Sequence, residues 1–303
     1  MNPATPSVVA IFGPTASGKS ALVAALLEQL DAEAVSADSA AIYADLPILT
    51  AAPEHPAHLV GTVALSDEIS VADFQSRAHE AIDDILHRHK TAIVVGGTGL
   101  YFRAALSAMS FPPAPPAELR EHWNAHYDEH GPDASHELLT GRDPHAAAQV
   151  HANDRKRVVR ALELTDLGSS LAPQGASRLW TDDVRHPTQI VALDCDAITL
   201  DERIAARTVA MVEAGAVAEA SAAWQQPLSA TARKILGLEQ FATLPVAEAV
   251  EAVTLATRQL ARYQRKWLRR TPVVGTLEAT RTVEELAHEV VSLAGTGKHL
   301  SRG

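Results

Sequence analysis

The stretch Gly13-Pro14-Thr15-Ala16-Ser17-Gly18-Lys19-Ser20 limits what this chain can fold into more than any other. It follows an apolar run, Val8–Phe12, and leads into Ala21–Leu27, which has the composition of a helix. Strand, glycine-bearing loop and helix in that order make a P-loop. Backbone N–H groups at the helix start cradle an anion, and the helix dipole favours negative charge there. In this frame the stretch Gly13–Ser20 holds a phosphate group, with Lys19 on terminal oxygens and the Ser20 hydroxyl on Mg2+. The loop alone leaves open which phosphate compound binds.

Further strands are predicted at Ala34–Ser36, Ala92–Val95, Gln189–Leu193 and Val273–Leu277. Helical patterns lie between most of them. Val71–Lys90, for example, carries Phe74, Ala78, Ile82 and Ile85 at helical spacing. The alternation predicts the α/β class, a parallel sheet with helices on both faces. Pro112-Pro113-Ala114-Pro115-Pro116 cannot continue a helix and reads as a stiff hinge. Beyond it Glu118–His130, Ser135–Leu139, Pro144–Gln149 and Asp154–Leu167 look helical, with no strand before Thr188. Residues 113–187 are therefore expected to form a helical insertion domain, and residues 1–112 and 188–303 the P-loop core. Leu200–Arg270 reads as helical again, and Gly295–Gly303 as a frayed end.

A chain of 303 residues with 47% hydrophobic and 21% charged residues is expected to be soluble and globular. It has no long apolar run, and Met1–Ser7 lacks the pattern of a signal peptide, so no membrane partner and a cytoplasmic setting are the expectation. A net charge of −11 argues against nonspecific nucleic-acid binding but not against local basic patches. The single cysteine, Cys195, excludes an internal disulfide framework and a Cys-based zinc cluster, and reads as a packed thiol. His55, His58, His87 and His89 lack the partners of a metal site. Trp123, Trp180 and Trp224 read as packing residues rather than base-stacking platforms.

Two more loops follow predicted strands. In Val35-Ser36-Ala37-Asp38-Ser39-Ala40-Ala41-Ile42-Tyr43, Asp38 lies at a strand end facing the phosphate site by the crevice rule of open α/β sheets. It could ligate magnesium, act as a base, or cap the next turn. In Ile93-Val94-Val95-Gly96-Gly97-Thr98-Gly99-Leu100-Tyr101 the glycine pair marks a close backbone approach or a sharp turn. The acidic residue that usually ends such a strand in nucleoside-triphosphate hydrolases is absent, which weakens an ATPase reading.

Together with Gly13–Ser20, the Asp38–Tyr43 and Gly96–Tyr101 blocks resemble the bacterial tRNA dimethylallyltransferase family. So do two later blocks, Asp143-Pro144 with Asn153–Glu163, and Thr257–Arg269; the resemblance spans roughly residues 7–275. It implies transfer of a dimethylallyl group from dimethylallyl diphosphate to N6 of the adenosine directly 3′ of the tRNA anticodon (position 37). The P-loop then holds a diphosphate leaving group instead of ATP, with Mg2+ on Ser20, and the protein is expected to act as a monomer. Lys19, Asp38, Thr98 and Arg207 are the implied catalytic residues. Asp38 accepts the N6 proton, and Thr98 fixes the flipped nucleotide or a diphosphate oxygen. Arg203 and Arg207, four residues apart, reach the diphosphate, unless they pair with Asp201, Glu202 or Glu213. Implied tRNA contacts are Asp38, Ser39, Ala40, Ala41, Thr98, Arg120, Lys156, Arg157, Val158, Val159, Arg160, Lys234, Arg258, Arg262, Gln264, Arg265 and Arg269. The chain departs from the family at Ala44–Thr50, Leu236–Glu239 and Tyr263, which bears on individual contacts and not on the chemistry.

Arg258, Arg262, Arg265 and Arg269 recur at spacings of four, three and four, one stripe of a helix, with Leu260, Tyr263 and Trp267 expected to pack inward opposite. No acidic residue interrupts Arg258–Arg270, so the stripe reads as a phosphate-backbone contact rather than a merely solvated face. Lys156, Arg157 and Arg160 form a second basic cluster, read as contacting the anticodon arm in preference to surface salt bridging. Three other readings compete: a small-molecule P-loop kinase, an enzyme isopentenylating free adenine nucleotides, and an RNA-binding protein with a vestigial P-loop. An assay for turnover of dimethylallyl diphosphate without nucleotide-dependent phosphorylation would separate the first; the two basic clusters disfavour the second, and the joint presence of Lys19, Ser20 and Asp38 the third.

Overall fold

The computed structural model describes residues 8–172 and 183–295. Met1–Ser7, Trp180 and residues 296–303 of the expected frayed end lie outside them; Gly295 closes the last helix. β1 (Val8–Phe12), β2 (Ala32–Ser36), β3 (Ala57–His58), β4 (Thr91–Gly96), β5 (Thr188–Asp194) and β6 (Gly275–Glu278) form a parallel sheet in the order β3-β2-β4-β1-β5-β6. The P-loop strand β1 is central, Val8 pairing with Ala92 on one side and Thr188 on the other. Every residue of β1 is buried, as expected of a parallel strand covered on both faces.

Alternate side chains of β1 serve opposite faces. Val9 and Ile11 pack with Leu22, Val23 and Leu26 of α1 (Lys19–Gln29), Leu200 and Ile204 of α7 (Ala197–Glu213), and Leu286 and Val290 of α11 (Val283–Gly295). On the other face the Phe12 ring lies 4.7 Å from Phe102 of α3 (Gly99–Leu106). There Phe74 of α2 (Val71–His87) lies 4.6 Å from Tyr101. α2 opens with a capping box between Ser70 and Asp73. It closes earlier than the expected Lys90, because His89 turns left-handed at φ 62°. β3 was not expected; two residues are too short for a periodic signal.

The chain divides into two compact units, one of residues 1–109 and 179–303, the other of residues 110–178. The expected insertion, 113–187, extends too far at its C-terminal side. Asp183–His186 belong to the sheet unit: Ser107 Oγ donates to the Asp183 carbonyl (2.6 Å), and the Arg185 N–H to that of Leu106 (2.8 Å). The His186 ring and the Arg185 guanidinium both meet Asp83. This arm has no strand partner over those residues, so no periodicity announces it.

In the second unit α4 (Ala117–Arg142) contains both helices predicted there, joined across a kink at Gly131 (φ 79°, ψ 177°) just before Pro132. The Asp143 and Asp154 carboxylates cap α5 (Pro144–Ala147) and α6 (Arg155–Asp166). Trp123, Tyr127, Leu139, Val150, Val158, Val159 and Leu162 form its core. α8 (Ala216–Trp224), a 3-10 turn (Ala232–Lys234), α9 (Leu238–Thr243) and α10 (Val246–Leu268) complete the sheet unit.

Candidate active site at the strand ends

The loops that follow β1, β2 and β4 are bonded into one surface. Gly13 N–H donates to Gly96 O (3.3 Å), and Ala37 N–H to Val95 O (2.7 Å), which carries the β2–β4 pairing one residue beyond the strand and delivers Asp38. A Cβ on Gly96 would lie 2.5 Å from the Ala37 carbonyl, and one on Gly99 would lie 2.1 Å from the Trp267 ring. The close approach inferred at Gly96-Gly97 is thus made by the protein itself.

α1 starts at Lys19 behind Gly18, whose φ of 91° admits glycine at little cost. The open N–H groups of that helix start face a cleft of about 670 Å³, lined by Thr15, Ala16, Gly18, Lys19 and Ser20, and by Asp38, Arg203 and Arg207. Gly13, Pro14 and Ser17 are buried beneath the loop and shape it without lining the cleft. Asp38 Oδ1 accepts from Ala40 N–H (2.8 Å) and Ala41 N–H (3.2 Å), a turn in which Asp38 serves as local cap, while Oδ2 makes no hydrogen bond among the described residues. Ala41 lines the phosphate lobe and Ala40 the second lobe; Ser39 lines neither. The Thr98 hydroxyl caps nothing at the start of α3, and Thr98 lines neither lobe.

The second lobe, of about 100 Å³, shares Thr15, Lys19, Asp38 and Arg207 with the first. Its remaining walls are mostly apolar, from Leu49, Met211, Ile235, Phe241, Val253 and Leu260. Sequence reasoning missed this lobe because its walls come from four separate segments. It also assigned Gln264 to tRNA. In the fold Gln264 is buried, its Oε1 accepts from the Thr15 N–H (2.7 Å), and its Nε2 lies 2.6 Å from where a Gly97 Cβ would sit. Gln264 therefore holds the P-loop against α10.

Burial pulls the Lys19 ammonium down to about 8; Asp38 opposes the shift and Arg207 adds to it. Burial likewise lowers Arg207, against the pull of Asp38. Among the described residues Arg207 forms no ion pair with Asp201, Glu202 or Glu213, Asp201 pairing with Arg258 instead, and its buried Nε has no hydrogen-bond partner. Arg203 donates to the Ala279 carbonyl (2.9 Å) while lining the cleft. A bound anion restores the proton of Lys19, so its binding takes up a proton above about pH 8. Inorganic diphosphate is expected to bind fully below that pH and more weakly above it, by up to about tenfold per unit. Titration calorimetry against Lys19→Met, which removes the ligand's own protonation from the comparison, checks this; parallel pH profiles would refute it.

Of the implied tRNA contacts, Val158 and Val159 are core residues of the second unit and cannot meet RNA without unfolding it. Arg160 donates to the Pro112 and Pro113 carbonyls and pairs with buried Glu163 (3.1 Å), which Arg120 also approaches (3.7 Å). Lys156 and Arg157 are exposed and have no ion pair among the described residues. In the sheet unit Arg258 pairs with Asp201 (3.6 Å) and Arg265 with Asp194 (3.1 Å). Arg262, Arg269 and Lys234 are exposed and unpaired among the described residues. The inward face of α10 is Ala249, Val253, Thr257, Ala261 and Gln264, whereas Leu260 and Tyr263 are exposed at 38% and 56%. Small and polar residues fill that seam, which a hydrophobic pattern cannot find. Cys195 is buried, and burial raises its thiol. Trp123 is a core residue, and the face of Trp224 is covered by Arg233 at 5.0 Å.

A central parallel strand, an open helix start behind its glycine loop and a carboxylate from the neighbouring strand loop define an α/β protein with a cleft at the strand ends whose lining suits an anion. The sequence model of the IPP transferases matches residues 41–271, and the chain belongs to that family. It is 40% identical to the tRNA dimethylallyltransferase of Salinispora tropica, over 90% of this chain and 88% of that one. It is 36% identical to that of Corynebacterium diphtheriae, over 96% and 99%. Among solved structures, the tRNA isopentenylpyrophosphate transferase of Bacillus halodurans superimposes with a TM-score of 0.66 at 27% identity, covering 96% of this chain and 97% of the other. No helix among the described residues is long and apolar enough to cross a membrane.

Proposed function

We propose that this protein transfers the dimethylallyl group of dimethylallyl diphosphate to N6 of the adenosine 3′-adjacent to the tRNA anticodon. One observation carries the reading: Lys19 and Arg207, two cations suited to a leaving diphosphate, share a cleft with an apolar lobe and with Asp38, whose Oδ2 makes no hydrogen bond among the described residues. The C1–O bond to diphosphate breaks as C1–N6 forms. Asp38 takes the N6 proton, and Lys19, Arg207 and the loop N–H groups stabilise charge on the departing oxygen. An N6 amine inside a base stack is out of reach, so the adenosine must flip out. The Ser20 hydroxyl suits Mg2+, a hard ion content with oxygen ligands, few of them from protein. When bound, that ion supplies further charge neutralisation at the diphosphate. A monomer in the cytoplasm completes the reading. Purified protein, dimethylallyl diphosphate and an anticodon stem-loop should yield RNA heavier by one isopentenyl group. Phosphoryl transfer from ATP to a small molecule, with no change in RNA mass, would instead support a kinase.

Lys156 and Arg157 in the second unit, and Arg262, Arg269 and Lys234 in the first, are the cations proposed to meet the RNA backbone. Arg262→Ala and Arg269→Ala should each lower the salt slope of stem-loop binding by about one. Arg265→Ala should act mainly on stability, because it strands Asp194, whose Oδ1 is already buried without a partner. Fluorescence anisotropy across a salt series separates the two; equal slopes for parent and Arg262→Ala would remove that residue from the interface.

A further inference from the structure

We propose that Leu49, Met211 and Phe241 form an end-wall that measures the transferred alkyl group and restricts it to five carbons, with Glu219 of α8 as the residue that positions the wall. The inference rests on the proposed reaction, in which the donor's diphosphate occupies the P-loop lobe. From there its carbon chain meets the apolar lobe, because the two lobes share Lys19, Asp38 and Arg207.

The lobe measures about 100 Å³. A cavity of roughly 150 Å³ lined by aliphatic and aromatic side chains holds a six-carbon ring. A branched five-carbon group therefore fills this lobe, and a ten-carbon chain overruns it.

The wall is also stiff. Phe241 and Leu49 are 2% and 7% exposed. Both pack over Gly237: a Cβ there would lie 3.1 Å from Leu49 Cδ2 and 3.5 Å from the Phe241 ring. The backbone carrying Leu49 is clamped from α8, where the Glu219 carboxylate accepts from the N–H groups of Ile48 (2.9 Å) and Leu49 (2.8 Å). Both bonds run to a charged acceptor, which strengthens them, so the Leu49 segment cannot slide back cheaply to admit a longer chain. Interiors packed this way transmit a clash instead of absorbing it.

The test uses the full chain with an anticodon stem-loop and either dimethylallyl or geranyl diphosphate, reading product mass and kcat/KM for each donor. The parent is expected to add five carbons and negligible ten-carbon product. Leu49→Ala and Phe241→Ala should each raise the geranyl-to-dimethylallyl ratio by about tenfold or more, the discrimination that a few carbons command in an apolar pocket. Glu219→Ala should move the same ratio, and Glu219→Gln, which keeps one acceptor, should move it less. If Leu49→Ala fails to fold, Met211→Ala and Phe241→Leu carry the test. A parent that uses both donors equally, or variants that transfer dimethylallyl with an unchanged ratio, would overturn the wall. A Glu219→Ala that loses thermal stability at constant ratio would overturn its positioning role. A parent that transfers neither group would count against the proposed reaction instead.

Discussion

Asp38→Asn is expected to slow single-turnover transfer by about 10²–10⁴-fold while both substrates remain bound. The exocyclic amine of adenine is a weak nucleophile, because its lone pair is delocalised into the ring, and it becomes acidic only as the new C–N bond forms. A carboxylate bonded to that N–H gains strength as positive charge grows, so it favours the transition state over the bound ground state. Asparagine at this position keeps its Oδ1 contacts with the Ala40 and Ala41 N–H groups, so the turn survives. What it loses is the ability to take a proton at the position of Oδ2. A residue acting only as a turn cap would change thermal stability by roughly 1 kcal/mol or less, since asparagine caps well. A magnesium ligand would show weaker donor binding and partial rescue by raised magnesium. Rapid-quench transfer at near-parental rate would end the general-base role.

Lys19→Ala should be nearly as severe, with a different signature. The ammonium lines both lobes and rests on the Pro14 carbonyl at 2.7 Å, positioned to turn onto an incoming phosphate oxygen. Its loss removes one charged hydrogen bond from the bound donor, about 1.5–3 kcal/mol. It also removes one stabilising group from the leaving oxygen, typically about 10²–10³-fold in kcat. Donor affinity and rate are expected to fall together, while stem-loop affinity, carried by other cations, stays at the parental value. An equal loss of RNA affinity, measured without donor, would move Lys19 out of the diphosphate site.

Local signals carried the fold a long way. The P-loop, the strand positions and the α2 stripe of Phe74, Ala78, Ile82 and Ile85 depend on periods of two and 3.6 and on loop chemistry, all written along the chain. The five named strands were found within about two residues of their observed ends, the usual uncertainty of boundaries read from sequence. The α10 seam failed for a physical reason. Ala261, Thr257 and Gln264 face inward because the P-loop and the sheet leave room only for small side chains and one amide, so hydrophobicity points to Leu260 and Tyr263 instead. Val158 and Val159 fell inside a basic block and were read with their neighbours, though a helix with 3.6 residues per turn sends Lys156 and Arg157 outward and the next two residues into the core.

By itself the sequence determined that a glycine loop with a lysine lies between a central parallel strand and a helix, and its five ordered blocks pointed to a prenyl transfer to tRNA. Those features are local: a glycine loop, a carboxylate two residues past a strand, a lysine at a helix start. Only the tertiary structure decided which cations remain free, since Arg258 and Arg265 find Asp201 and Asp194 across gaps of 57 and 71 residues. It alone assembled the apolar lobe from Leu49, Met211, Phe241 and Val253. Burial and ion pairing are set by what other segments bring to a residue, and no pattern along one segment records its neighbours in space.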